Sequence, residues 1–198
     1  MKLINEYLST KVKQSNIKAN DKTIKEIVLT EIKRLGKDCD LNHIDVREVT
    51  DFSKVFYLKD FRGDVSLWNV SNGTDFTLCF AGNSSFDCDL SAWNVKNSES
   101  FGRMFALDLK FRGIGLENWI VDSCLYFWQM FINCKSFNGN ISDWKISPEA
   151  KTFEGMFKEC ESFTQDLSKW KIPKYSNKVD MFYHCPLAKR KNSKPQEI

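Results

Sequence analysis

The side chains best suited to acid–base or nucleophilic chemistry are few. The only two histidines, His43 and His184, stand about 140 residues apart, so no Cys–His or Ser–His–Asp arrangement, which needs base and nucleophile within hydrogen-bond reach, is expected between them. Carboxylates are plentiful, and Asp64, Asp89, Asn140 and Asp166 recur at one place in a repeating pattern. Paired carboxylates could serve as acid and base, but members of such a ladder read as side chains that accept from turn amides. Ser66, Ser91, Ser142 and Ser168 recur in the same way and read as backbone partners within a coil. Gly63, Gly113 and Gly139 mark a turn, and no phosphate-binding glycine motif is present. Seven cysteines make an odd set with no C-x-x-C pair, and Cys134, Cys160 and Cys185 share one repeat position. They read as reduced core thiols, neither a disulfide framework nor a zinc site. No catalytic, cofactor-binding or metal residue is assigned, and the chain reads as non-enzymatic.

The elements that carry these residues repeat. FRGDVSLWNVSN from Phe61, FDCDLSAWNVKN from Phe86, FNGNISDWKISP from Phe137 and FTQDLSKWKIPK from Phe163 align without gaps, and FRGIGLENWIVD from Phe111 matches with one extra residue before its Trp. Phe61, Phe86, Phe111, Phe137 and Phe163 advance by 25 or 26 residues, as do Trp68, Trp93, Trp119, Trp144 and Trp170. A fixed period of this length marks a stacked-repeat architecture. The second half of each unit carries an i,i+4 phenylalanine pair, as in Phe76/Phe80 and Phe101/Phe105, with Val179 taking the first place before Phe182. That spacing predicts a short helical turn. In Val65–Val70 the apolar positions are the first, fourth and sixth, which predicts a short strand and its approach. One such coil cannot stand alone: ordering ~25 residues at roughly 1.5 kcal/mol each costs about what its few large apolar groups return, so neighbours must supply contacts.

The pattern F-x-G-D-I/L-S-x-W-x-V…M-F-x-x-C/A, recurring from about Asp45 to Pro186, resembles the BspA-like leucine-rich-repeat family of bacterial surface lipoproteins. The resemblance implies an α/β fold: a right-handed leucine-rich-repeat-like solenoid with a parallel sheet on one side, and a role in adhesion or other protein binding. About five repeats of 25–26 residues would fill residues 41–186. Residues 1–40 are expected to form an N-terminal helical cap, with one helix over Asn20 to Gly36, capped by Asn20 or Asp21, and a weaker one over Leu3 to Val12. Residues 187–198 are expected to be a basic, flexible tail.

Charge is uneven. Net charge is +3, but the ends are basic, and the middle, residues 41–186, carries 16 Lys and Arg against 19 Asp and Glu. The body as a whole would not draw nucleic acid. The opening MKLINEYLST lacks an apolar run of signal-peptide length, and no 18-residue apolar stretch occurs. The expectation is a cytoplasmic protein without membrane contact, bacterial or carried by a phage or other mobile element.

Repeated residues build the scaffold, so partner binding is expected where repeats differ on the outward strand positions. Those positions are Leu67 and Asn69, Ala92 and Asn94, Asn118 and Ile120, Asp143 and Lys145, and Lys169 and Lys171. The strip turns basic toward its C-terminal end, where the lysines are expected to be exposed and unpaired. A protein partner is the leading expectation, as for an adaptor or inhibitor of a larger intracellular machine. The alternatives are a subunit of a homo-oligomer or particle, and a nucleic-acid-associated binder using the basic end.

Overall fold

The computed structural model describes residues 17–198. The weaker helix expected over Leu3 to Val12 lies outside the described residues. Strand β1 (Ile17–Asn20) leads into helix α1 (Ile24–Leu35), and β1 pairs in parallel with β2 (Ile44–Glu48). The helix buries Ile24, Val28, Glu31 and Ile32, and Gly36, at φ 92°, ends it with its N–H on the Ile32 carbonyl. The expected N-caps do other work. Asn20 Oδ1 accepts the Lys22 N–H at 3.0 Å, while the Asp21 carboxylate accepts the Thr50 N–H at 2.7 Å and the Asp51 N–H at 3.0 Å, tying the cap to the first coil.

Beyond the cap the chain returns on itself with the period seen in the sequence. Parallel bridges join Asp51 to Asp75, Asp75 to Ser100, Ser100 to Tyr126, Tyr126 to Thr152, and Thr152 to Asn177. The core runs along this stack. Phe61, Phe86, Phe111, Phe137 and Phe163 are fully buried, with rings stacked on their neighbours at centroid separations of 5.3–6.2 Å. Each ladder Trp also donates its indole N–H to a carbonyl one coil back: Trp68 to Leu41 at 2.9 Å, Trp93 to Val65 at 3.0 Å, Trp119 to Leu90 at 3.1 Å, Trp144 to Leu116 at 2.8 Å and Trp170 to Ile141 at 2.9 Å. The indole fills the core and fixes the register of successive coils together.

Neither half of the coil is the regular element that its pattern predicts. Val65–Val70 and its equivalents bury the expected first, fourth and sixth positions, except that Ile146 is only half-buried, but they are turns and extended links; strand pairing appears only at β2 and at β3 (Lys171–Ile172). The cause is local hydrogen bonding. Asp64 Oδ1 accepts the Ser66 N–H, the Trp68 N–H closes on the Val65 carbonyl, and Asp89, Asn140 and Asp166 repeat the first contact, so the turn-amide role expected of that ladder is what they perform.

The phenylalanine pairs do not lie on helical turns. Phe76 and Phe80 each begin a turn closed by an i→i+3 bond, Cys79 N–H to Phe76 and Asn83 N–H to Phe80, with Leu78 at φ 60° and Gly82 at φ 76° in the third place. These are type II turns, which require a left-handed residue there. Every coil repeats the double turn, the last with Asp180 and His184 in those places. Lys178, one residue after the Asn177 bridge, therefore takes the place of the first Phe; Val179 is 64% exposed.

Residues 187–198 are laid against the last coil. Leu187 is fully buried, and β4 (Gln196–Glu197) pairs in parallel with β3. The expected flexible tail thus extends the stack along its Trp side.

Candidate functional site

The stack positions the outward strip by alternation. Leu67, Asn69, Asn94, Asn118, Ile120, Asp143, Lys145, Lys169 and Lys171 are all exposed, flanking the buried Trp of their coils. Asn69 and Asn94 are occupied locally, since their Oδ1 atoms accept the Ser71 and Lys96 N–H groups at 3.2 and 3.3 Å. Leu67 and Ile120, 73% and 57% exposed, are the large apolar members.

The C-terminal four come together. Asp143, Lys145, Lys169 and Lys171 line one shallow cleft with Ser142 and Ile146. Lys169 is not unpaired: its Nζ donates to Asp143 Oδ1 at 2.6 Å, and that bond holds the lysine above its ordinary pKa. Successive coils bring residues 26 apart within bonding reach, and the acidic member stands beside the later lysine. Both side chains are about 70% exposed, so the pair adds little to stability. Lys145 and Lys171 have no salt-bridge partner among the described residues and supply the cleft's free positive charge.

The histidines are held at opposite ends. His43 Nε2 lies 3.0 Å from the Glu31 carboxylate, which also receives the Arg34 guanidinium. The Arg34 hydrogen bond keeps Glu31 below the usual carboxylate range, against the opposing pull of burial. This pins α1 to the segment ahead of β2. His184 stacks on Tyr183 at 4.0 Å between centroids. Among the described residues neither imidazole bonds a thiol or hydroxyl. The Cys39 thiol is pushed up by burial, away from the thiolate that nucleophilic chemistry needs. Among the described residues no group of three His, Cys, Asp or Glu side chains is placed to hold a metal ion.

The other thiols serve the core. Cys134 and Cys160 donate to the Phe105 and Phe131 carbonyls at 2.8 and 2.9 Å, and burial raises both far above an ordinary thiol. Two surface features carry no repeat signal. Trp128 lies outside the Trp ladder, half-buried, with Arg103 at 5.7 Å from its ring centroid and Gly102 beneath it, where a Cβ would come within 2.3 Å of the indole. Its place outside the 25-residue ladder was the available signal. The second is a backbone feature at the C-terminal end of the stack, which side-chain patterns cannot reveal.

Comparison with protein families gives two matches to one model, described as "Mycoplasma protein of unknown function, DUF285", over residues 28–123 and 108–194. The chain belongs to this family. The two matches together run from Val28, within the cap helix, through every coil, as a repeat-type family should. No curated protein and no solved structure matches the chain. Among the described residues, no helix is long and apolar enough to cross a membrane.

Proposed function

We propose that this chain is a non-enzymatic protein-binding module of the bacterial cytoplasm, an adaptor or inhibitor acting on a larger assembly. In this reading the stack is a right-handed, leucine-rich-repeat-like solenoid related to the BspA-like proteins, with the outward strip as its binding face. One observation carries the reading: the repeated residues are consumed by the core and by turn bonds, while an unrepeated, exposed strip ends in a cleft whose lysines Lys145 and Lys171 have no salt-bridge partner among the described residues. A partner for this face presents apolar contact opposite Leu67 and Ile120 and negative charge opposite the cleft.

The test begins with affinity capture from the native host and continues with calorimetry on the purified partner. Lys145→Glu/Lys171→Glu should weaken binding, chiefly through the association rate, with an effect that shrinks as salt is added. Asn69→Ala and Asn94→Ala should matter less, because those side chains serve their own turns. Both lysines are exposed, so unfolding free energy should shift by no more than about 0.5 kcal/mol per site. Unchanged affinity of the double variant at low salt would remove the cleft from the binding face.

A further inference from the structure

The double turns differ from a β-strand in one respect that matters at the end of the stack. The edge of a strand offers both N–H and C=O groups, whereas here the two kinds of group point opposite ways. In each coil four N–H groups, those of both Phe and of the residues two after each, point toward the following coil, and four carbonyls point back. Phe127, Gln129, Phe131 and Asn133 donate to Thr152, Glu154, Met156 and Lys158 at 2.7–3.0 Å; Phe153, Gly155, Phe157 and Glu159 then donate to Asn177, Val179, Met181 and Tyr183 at 2.7–2.9 Å. The same four columns run unbroken from Phe52, Lys54, Phe56 and Leu58. Head-to-tail peptide dipoles aligned in this way leave partial positive charge where the N–H groups end, as at a helix N-terminus.

They end at Lys178, Asp180, Phe182 and His184, whose N–H groups have no acceptor among the described residues. The side chains confirm that the core is open at this point. Phe182 stacks on Phe157 at 5.6 Å but is half-exposed, whereas Phe56, Phe80, Phe105, Phe131 and Phe157 at the same position are fully buried. Lys178 replaces the other Phe, its Nζ donating to the Lys174 carbonyl at 2.9 Å. The C-terminal residues cover the Trp side through β4 and leave this row beside two clefts, one lined in part by Lys178, Phe182, Tyr183 and Lys194, the other by His184, Lys189 and Arg190. Lys189, Lys191 and Lys194 have no salt-bridge partner among the described residues.

We propose that this donor-only end docks an acidic segment of a partner polypeptide that folds into the same double turn, its four carbonyls accepting the four N–H groups and its aromatic side chains closing the stack over Phe182. The complement is the one that every interior coil already supplies. Two such ends cannot pair with each other, because donors would face donors. At the carbonyl end of the stack the cap side chain Lys25 reaches Ser53 Oγ at 3.4 Å and the Asp51 carboxylate at 3.7 Å, so a second copy would have to bring its own basic row up against a cap lysine there. Glu161, Asp180 and Glu197 also line these clefts but are salt-bridged to Lys135, Lys158 and Lys178, so Lys189, Lys191 and Lys194 leave the surroundings of the row basic and select an acidic segment; the left-handed third places favour Gly or Asn in it. The docking is a form of chain augmentation, with an all-donor edge in place of a strand edge.

The probe is an acetylated, amidated peptide of residues 151–161 with Cys160→Ser, which carries the four carbonyls, two Phe and a net negative charge. It is titrated into the full ¹⁵N-labelled chain. Saturating shifts and slowed hydrogen exchange at the Lys178, Asp180, Phe182 and His184 amides are expected, with binding weakened at least tenfold by Phe182→Glu and by Lys189→Glu/Lys194→Glu. The second variant changes one exposed and one half-buried side chain, neither with a salt-bridge partner among the described residues, and keeps the test valid if the first unfolds. Silence of the four amides at millimolar peptide overturns the proposal. So does reproduction of the shifts by inorganic phosphate alone, which would mean an anion site, or protection of the amides without peptide in a sample that light scattering shows to be oligomeric, which would mean a second copy.

Discussion

The indole N–H of Trp93 donates to the carbonyl of Val65 in the preceding coil at 3.0 Å, while its ring lies parallel to that of Trp119, 6.4 Å away in the following one. Three coils are thus held in register by one side chain that is 2% exposed.

Two substitutions at this position separate its roles. Trp93→Ala removes the packing and the bond, and should cost on the order of 3–5 kcal/mol in denaturant unfolding. Trp93→Phe keeps much of the ring contact but leaves the Val65 carbonyl without its indole partner, and should cost about 1–3 kcal/mol. A Trp93→Phe variant as stable as wild type would show that the hydrogen bond contributes nothing and that packing alone sets the register.

How far the sequence reveals the fold can be judged from the two halves of a coil. The period, the inward positions around each Trp and the turn role of Asp64, Asp89, Asn140 and Asp166 are legible because each depends on identical residues meeting identical neighbours every 25 or 26 residues. The double turn is hidden because two successive four-residue turns place Phe76 and Phe80 four apart, the same spacing as one helical face. Helix geometry would have needed no left-handed residues; Leu78, Arg103, Gln129 and Glu159 adopt φ between 51° and 62°, and nothing in their side chains announces it. At the site, exposure of Leu67 through Lys171 followed from alternation, but the Asp143–Lys169 contact depends on which side chains of adjacent coils lean together. The N–H row at Lys178 to His184 belongs to the backbone and has no sequence signature.

The left-handed residues make a second prediction. For a residue other than Gly this conformation costs roughly 1–2 kcal/mol, and Gly avoids it at an entropic cost of about 0.5–1 kcal/mol. Glu159 sits at φ 62° with no side-chain hydrogen bond or salt bridge among the described residues, and Gly82 occupies the equivalent place three coils earlier at φ 76°. Glu159→Gly should therefore raise stability, by up to about 1 kcal/mol, measured as a higher denaturant midpoint at unchanged slope. A lower midpoint would mean that the turn is not under strain there.

The last prediction concerns pH. Asp108 and Asn83 occupy one interior position in adjacent coils, both fully buried. Asn83 satisfies every polar atom: its Nδ2 donates to the Phe56 and Phe80 carbonyls at 2.8 and 2.6 Å, and its Oδ1 accepts the Phe61 N–H at 2.8 Å. Asp108 accepts the Lys110 N–H at 3.4 Å, but its Oδ2 has no partner among the described residues. Burial, reinforced by the charge of Asp87 and only partly opposed by neighbouring amides, pushes the carboxyl up to about 8. The folded chain thus keeps a proton that the unfolded chain releases near the ordinary Asp value of 3.8. A carboxyl raised in this way contributes stability that is complete below about pH 4 and is lost as pH rises toward about 8, because between those values the native state binds more protons than the unfolded state. Asp108→Asn supplies a permanent donor in the arrangement Asn83 already uses. The wild-type melting temperature should fall between pH 5 and pH 8, while that of the variant stays nearly level and exceeds wild type at pH 8. Parallel pH profiles for the two proteins would place the titration elsewhere and leave Asp108 ionised in the folded chain.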